Sequence, residues 1–401
     1  MLKLDLTHTL AVAGIVLFIG YGIRKLIPPL ARYNLPAPVI GGLLVSVLIL
    51  FAKQSGVELV QFDTTLQSPL MIAFFTTIGF GASVSLLRVG GPQVILFFVI
   101  STIAAVAQNV LGILLSAPLG MHPLFGVLTG SVTLTGGPAT GLAFAPLFAE
   151  AGVPAAASVA VAAAMVGIVS GGLIGGPIGT FIIERSGLRG VKTTRPVAPI
   201  PETEDNDTNP AGEEKTAYLI LKNVVLILAA MWVGSWISKA FAAMEITLPA
   251  YIGAMIVAAV MRNMDDVTGV LGLSQRTIDN LGSVALSLFI SMALMTLKLW
   301  EIASLALPLM IMLVAQVALI AMISLWTIHR LMGRDYDAAV MSSGFCGFML
   351  GTTANAMANM EALTEKFGAA PRAFLVVPMV GAFFLDFTNA LIITTCINIW
   401  K

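Results

Sequence analysis

The sequence predicts an all-α polytopic membrane protein built from two inverted-topology repeats, each of five transmembrane helices and one re-entrant hairpin. Three observations carry that fold class. Of 401 residues, 58% are apolar and only 10% charged, with a mean hydropathy of +0.95. So few charges cannot clothe a soluble chain of this length, and lipid is the solvent that fits. Ten apolar stretches are long enough to cross a bilayer, and two further apolar segments are broken by Gly, Thr, Pro and Asn. Short motifs of the first half recur in the second half at one common offset.

The spans are expected near 8–27, 36–52, 68–87, 92–118 and 153–183, then near 218–240, 248–262, 277–297, 302–331 and 371–399. Two of them open at the same signal, Leu35-Pro36-Ala37 and Leu248-Pro249-Ala250, where proline sits early enough in a helix for its missing donor to cost little. The first span carries Arg24 and Lys25 after it and no small-residue cleavage site, so it reads as a retained helix rather than a secretion signal. With the amino terminus outside and ten alternating spans, 16 of the 21 basic residues fall inside, including all eleven arginines. Twelve charged residues crowd into 184–217, a polar stretch read as a disordered cytoplasmic linker.

Leu35-Pro36-Ala37 recurs 213 residues later, and Met165-Val166-Gly167 recurs 214 residues later as Met379-Val380-Gly381. Glycines 120, 130 and 137 meet glycines 333, 344 and 351 at the same spacing. Each match alone is weak; the shared offset and the matching order of spans and hairpin are not. Five spans per repeat is odd, so the second copy lies upside down, an arrangement typical of secondary transporters. The hairpins, 122–150 and 336–362, then enter from opposite sides and their tips can meet near the midplane.

The first tip is Ser131-Val132-Thr133-Leu134-Thr135-Gly136-Gly137-Pro138-Ala139-Thr140-Gly141. Gly136 and Gly137 let the chain turn, half-helices ending there can aim free N–H groups at an anion, and the Thr135 and Thr140 hydroxyls offer donors or cation ligands. A close-packed Gly/Thr helix contact is the structural alternative. The second tip carries Gly351, Thr352, Thr353, Asn355 and Asn359, with the two asparagines four apart on one helical face, as ligands or as glue between helices. Asp386 lies about the middle of the last span with Asn389 three residues on, and no basic residue lies at comparable depth. A carboxylate there costs about 2.5–3.5 kcal/mol and asks for a cavity, a cation or a substrate ammonium. Candidate substrate-binding residues are therefore Thr135, Gly136, Gly137, Thr140, Gly351, Thr352, Thr353, Asn355 and Asp386; candidate sodium ligands are Asn355, Asn359, Asp386 and Asn389.

Other classes find less support. Balanced charge, 21 basic against 21 acidic residues, excludes a strongly basic nucleic-acid binder. No phosphate-binding Gly-rich loop with Lys is present, and one mid-span Asp without a catalytic partner argues against an enzyme. Cys346 and Cys396 lie in apolar surroundings and read as small buried hydrophobes. A channel using the hairpins as a filter remains a rival.

At the broken segments the chain resembles the bacterial sodium/glutamate symporter family. The resemblance runs end to end, through Leu35-Pro36-Ala37-Pro38-Val39-Ile40-Gly41-Gly42, Ser68-Pro69-Leu70-Met71-Ile72-Ala73-Phe74-Phe75-Thr76-Thr77-Ile78-Gly79, the tip around Gly136-Gly137, Met292-Ala293-Leu294-Met295 with Leu297-Lys298-Leu299-Trp300, and Phe374-Leu375-Val376-Val377-Pro378-Met379-Val380-Gly381-Ala382-Phe383-Phe384. Ala139 stands where the family commonly has a third glycine of its first hairpin. The resemblance implies uptake of L-glutamate coupled to sodium (Na+) across the bacterial inner membrane, and a homodimer working by an elevator-like motion. Uptake of citrate or another hydroxycarboxylate is the nearest alternative. In that picture the first repeat is 1–183, with scaffold helices in 1–60 and transport helices in 66–183. After the linker the second repeat is 218–401, with scaffold helices in 218–265 and transport helices in 276–401. Both termini are expected on the periplasmic side.

Overall fold

Short polar side chains and prolines fix where the helices of this computed structural model begin. The structure describes residues 2–56, 60–85, 91–188, 210–243 and 249–400. Asp5 accepts from the N–H of His8 at 2.8 Å to cap α1 (Leu6–Leu26), and a brief α2 (Pro28–Arg32) follows. Pro36 stands directly before α3 (Ala37–Gln54), and Pro249 directly before the later helix Ala250–Thr268, so the repeated Leu-Pro-Ala marks a helix start in both halves. Between them come α4 (Gln67–Gly81), α5 (Gly91–Ser116), α6 (Pro123–Val127), α7 (Gly137–Glu150) and α8 (Ala156–Ser186). The second half runs through α9 (Pro210–Ala242), α10 (Ala250–Thr268), α11 (Gln275–Met295), α12 (Ala306–Met322), α13 (Tyr336–Leu350), α14 (Thr353–Phe367), α15 (Pro371–Met379) and α16 (Leu385–Trp400). A two-residue parallel ladder joins Leu2–Lys3 to Val60–Gln61, so the all-α expectation holds apart from this clip.

Ten helical runs occupy the ten expected positions among the described residues. Seven are long and apolar enough to cross a membrane: Leu6–Leu26, Ala37–Gln54, Gly91–Ser116, Ala156–Ser186, Thr216–Phe241, Gln275–Met295 and Ala306–Leu331. The chain is therefore a multi-pass membrane protein. The other three fall short for visible reasons. Helix α4 has 15 residues, α10 ends in the polar Arg262-Asn263-Met264-Asp265-Asp266 turn, and the last run is broken by a π-helical turn at Val380–Phe384. Residues 86–87 of the third expected span lie outside the described residues, as does the expected linker over 189–209. The flanking helices run into that linker from both ends, to Ser186 and from Pro210.

Small residues decide which helices pack together. At the α1–α3 crossing a Cβ on Gly20 would strike the carbonyl of Ala37, and one on Gly41 the carbonyl of Val16. Gly79 of α4 lies as tightly on Met255 of α10, Gly282 of α11 on Thr77 of α4, and Gly42 of α3 on Leu294 of α11, where Ser46 also donates to the Leu294 carbonyl. Helices α1, α3, α4, α9, α10 and α11 thus form one packing group. The second group gathers α5–α8 and α12–α16, with Gly112 of α5 against Gly126 of α6 and α8 as a spine for α13 and α14. The third and eighth spans, α4 and α11, pack with the first group through the Gly79–Met255, Gly282–Thr77 and Gly42–Leu294 crossings.

The turns between α6 and α7 and between α13 and α14 meet, with Gly137 facing the Gly351 carbonyl and Thr135 lying near the Met349 carbonyl. At one end of the bundle lie the Leu2–Lys3 clip, Lys53 stacked 3.6 Å from the Trp300 ring, and Ser158 donating to the Lys298 carbonyl at 3.1 Å. At the other end Asp266 accepts from Ser83 and Ser85, Lys222 donates to Gly272, and Arg372 pairs with Asp335.

Candidate functional site

The first tip departs from helical geometry at Gly130, whose φ −98° and ψ −127° end the run from Pro123 in a π-helical turn. That break frees backbone groups which the neighbouring helices meet. The N–H of Ser131 donates to Asn109 Oδ1 at 3.0 Å, and the Ser131 carbonyl accepts from Gly136 at 2.9 Å and from Asn389 Nδ2 at 3.0 Å. Gly137 opens α7 at φ +67°, a left-handed backbone that glycine alone adopts cheaply. Thr140, buried, packs against Gly136 from the first turn of α7. Ala139 is buried in the same turn.

The second tip turns at Gly351, whose φ −151° and ψ −101° are neither helical nor extended, and at the extended Thr352, which caps α14 by accepting from the N–H of Asn355 at 3.3 Å. Thr353, the first residue of α14, lies beside Gly381 of the last span's π-helical turn. Asn355 and Asn359 share one face, as their spacing requires, and that face is turned to α8. Their Nδ2 groups donate to the carbonyls of Ile168 at 2.7 Å and Gly171 at 3.0 Å. The small residues Gly167, Gly171 and Gly175 admit this approach.

The tips meet at Gly137, which faces the Gly351 carbonyl, and through Gln108 of α5. Thr135 Oγ donates to Gln108 Oε1 at 2.6 Å, and Gln108 Nε2 donates to the Met349 carbonyl at 3.1 Å. Gln316 of α12 in turn donates to the Gln108 carbonyl at 2.7 Å. The expected residues Thr135, Gly136, Gly137 and Gly351 are thus brought together, and Asn389 joins them through Ser131. Asn355 and Asn359 hold hairpin two to α8 instead of reaching Asn389.

Burial leaves a pattern of unmet polar atoms around these tips. Asn355 Oδ1, Asn389 Oδ1, Gln316 Oε1 and Ser131 Oγ are buried without a partner, as is Asn109 Nδ2. In three of the four amides the NH2 is spent on a backbone carbonyl and the oxygen is left; Asn109 is the reverse. Asp386 is half-buried in the first turn of α16, one turn before Asn389, and has no ion-pair partner among the described residues. Reading the sequence missed Gln108, Asn109 and Gln316. Each is a neutral amide in mid-span, and at depth such an amide reads equally as glue between helices.

A cavity of about 580 Å³ opens between the two packing groups at the end holding Lys53 and Lys298. Gln67, Tyr251, Phe289 and Lys298 line it on one side and Leu142 and Ala149 of hairpin one on the other. None of the tip residues lines it, so the tips are covered on that side.

Comparison with known proteins agrees in extent. A family described as "Sodium/glutamate symporter" matches residues 2–369. The sodium/glutamate symporter of Escherichia coli (strain K12) is 42% identical over 395 residues, covering 98% of this chain and 97% of that protein. That of Haemophilus influenzae is 40% identical over 385 residues, covering 96% and 95%. Proteins so named are transporters rather than enzymes. The chain is a member of the sodium/glutamate symporter family.

Proposed function

We propose that this protein is a secondary active transporter that couples sodium entry to the uptake of L-glutamate into the cell across the bacterial cytoplasmic membrane. The observation that carries this is the set of unmet polar atoms at the two meeting tips, beside a carboxylate, Asp386, with no basic partner among the described residues. Glutamate brings two carboxylates and one ammonium, and sodium brings a hard cation. Backbone N–H groups at the starts of α7 and α14, with Asn109 Nδ2, suit carboxylates. The oxygens of Asn355 and Asn389 and the carboxylate of Asp386 suit sodium or the ammonium. Thr135, Gly136, Gly137, Thr140, Gly351, Thr352 and Thr353 frame the substrate; Asn359 completes the candidate sodium set.

The two repeats are inverted, the hairpins are re-entrant, and both chain termini face the periplasm. Motion is elevator-like within a homodimer. The moving part is α5–α8 with α12–α16, and the fixed part is α1–α4 with α9–α11, because the tight glycine crossings tie α4 and α11 to the latter. Names of relatives at 40–42% identity support the substrate pair.

The test is radiolabelled L-glutamate uptake into proteoliposomes with and without an inward sodium gradient, competed by aspartate, glutamine and citrate. Uptake that requires the gradient and yields to aspartate but not citrate supports this function. Sodium-independent flux, or citrate as the better competitor, would replace it with a channel or a hydroxycarboxylate carrier.

A further inference from the structure

We propose that Gln108 fixes the direction of the Thr135 hydroxyl, so that Thr135 serves the cationic part of the cargo and not its carboxylates; this rests on the symport function proposed above. A threonine hydroxyl carries one proton and two lone pairs and can face either kind of group. Here the choice is made by the neighbours. Gln108 Nε2 lies 3.1 Å from the Met349 carbonyl, an acceptor that only the NH2 end of the amide can satisfy. The flipped amide would set two oxygens against each other. Oε1 therefore faces Thr135, at 2.6 Å, and it can only accept.

The single proton of Thr135 is thereby spent. The Met349 carbonyl is also within 3.5 Å of Thr135 Oγ, but that distance is long for an O–H donor and the Gln108 contact wins. What Thr135 has left is lone pairs. A carboxylate offers only lone pairs and finds no partner there, whereas a sodium ion or an ammonium does. Gln316 holds the device from behind by donating to the Gln108 carbonyl at 2.7 Å, and all three side chains are buried, so water does not compete for the proton. Gln108 is accordingly a positioning residue that also ties Thr135 of the first hairpin to Met349 of the second.

The experiment uses the full-length protein in proteoliposomes, as wild type, Thr135→Val, Thr135→Ser, Gln108→Leu and Gln108→Met. Three quantities are read for each: the sodium concentration at half-maximal uptake, the KM for L-glutamate, and the inhibition constant of glutarate, which keeps both carboxylates and lacks the ammonium. If the cation is sodium, Thr135→Val raises the sodium half-saturation about tenfold and leaves glutarate inhibition unchanged. If it is the ammonium, the preference for glutamate over glutarate falls about tenfold instead. In either case Thr135→Ser restores most of the loss, and the Gln108 variants shift the same quantity in the same direction.

The inference is overturned if Thr135→Val weakens glutamate and glutarate alike with sodium half-saturation unchanged. It is equally overturned if the Thr135 variants behave as wild type, or if folded Gln108 variants leave the shifted quantity alone. Thr135→Val is close to isosteric, so the first comparison stands even where a Gln108 variant does not fold. Absence of sodium-dependent uptake in the wild type would instead remove the symport function itself.

Discussion

Asp386 and Asn389 sit one helical turn apart, and their surroundings give them different tasks. Asn389 donates to the Ser131 carbonyl and so holds the first hairpin to the last span, while its oxygen has no partner. Asn389→Leu should cost about 1–2 kcal/mol of stability through the lost hydrogen bond and also raise the sodium half-saturation; thermal unfolding in detergent and uptake measured together check both. Among the described residues Asp386 makes no such anchoring bond. Asp386→Asn keeps size and shape while removing the charge, whose burial at about 2.5–3.5 kcal/mol is worthwhile only if a cation meets it. Transport should fall by roughly 100-fold with folded protein still in the membrane, and near-normal uptake with unchanged sodium dependence would make Asp386 structural. Asp386 was legible in the sequence because a lone acid stands out in an apolar span. Gln108, Asn109 and Gln316 were not, because a neutral amide at depth reads equally as helix glue; only its partner, here Met349, Ser131 or Gln108 itself, shows which end of the amide is left over.

The helix starts at Pro36 and Pro249 could be read from the sequence, and the broken segments from Gly and Thr interrupting apolar runs. Which helix packs on which could not, since Gly79 and Gly282 look alike in sequence until their partners, Met255 and Thr77, are known. Hairpin one depends on such a contact. Gly126 and Gly112 touch backbone to backbone, so Gly126→Val should destabilise the protein by about 1–3 kcal/mol, seen as a lowered unfolding temperature and poor recovery from the membrane. Hairpin two depends on charge at its base. Asp335 caps α13 and pairs with Arg372, while Asp337 accepts from the N–H groups of Arg372 and Ala373. Burial pushes the Asp335 carboxyl up, but the hydrogen bonds from Arg372 and Ala338 and the Arg372 charge outweigh it and hold it below the usual carboxylate range. A depressed folded value means that the stabilisation is full above the unfolded value, about 4, and is lost as pH falls through the lower folded one. Asp335 is partly exposed, so Asp335→Asn should cost only about 1 kcal/mol at neutral pH, and the difference from wild type should close as pH falls through that lowered folded value.

At the scale of the molecule the question is which surfaces slide. The two packing groups touch through α4, α10 and α11 on one side and α7 with the last span on the other, and Phe144 of hairpin one meets Tyr251 of α10 edge-on at 5.2 Å. This seam carries the cavity of about 580 Å³, lined by apolar side chains together with Gln67, Ser158, Lys298 and Glu301, and among the described residues no tight glycine crossing spans it. Within each group, by contrast, backbones touch and a shift would break many contacts at once. Under the proposed elevator-like motion the sliding boundary falls at the seam, with α4 and α11 on the fixed side. Crosslinking separates this from a division that moves α4 and α11 with the hairpins. In a background with Cys346 and Cys396 replaced by alanine, cysteines at Ala149 and Thr296 flank the cavity across the seam. Cysteines at Thr9 and Asp63, where the Asp63 N–H already donates to Thr9 Oγ at 3.0 Å, stay within the first group. A short bifunctional thiol reagent bridging 149 and 296 should stop sodium-driven glutamate uptake and release it on cleavage of the bridge, while the 9–63 bridge should leave uptake intact. Continued uptake with 149 and 296 joined would mean that hairpin one and α11 travel together, and the boundary would then run between α11 and α3, through Gly42 and Leu294.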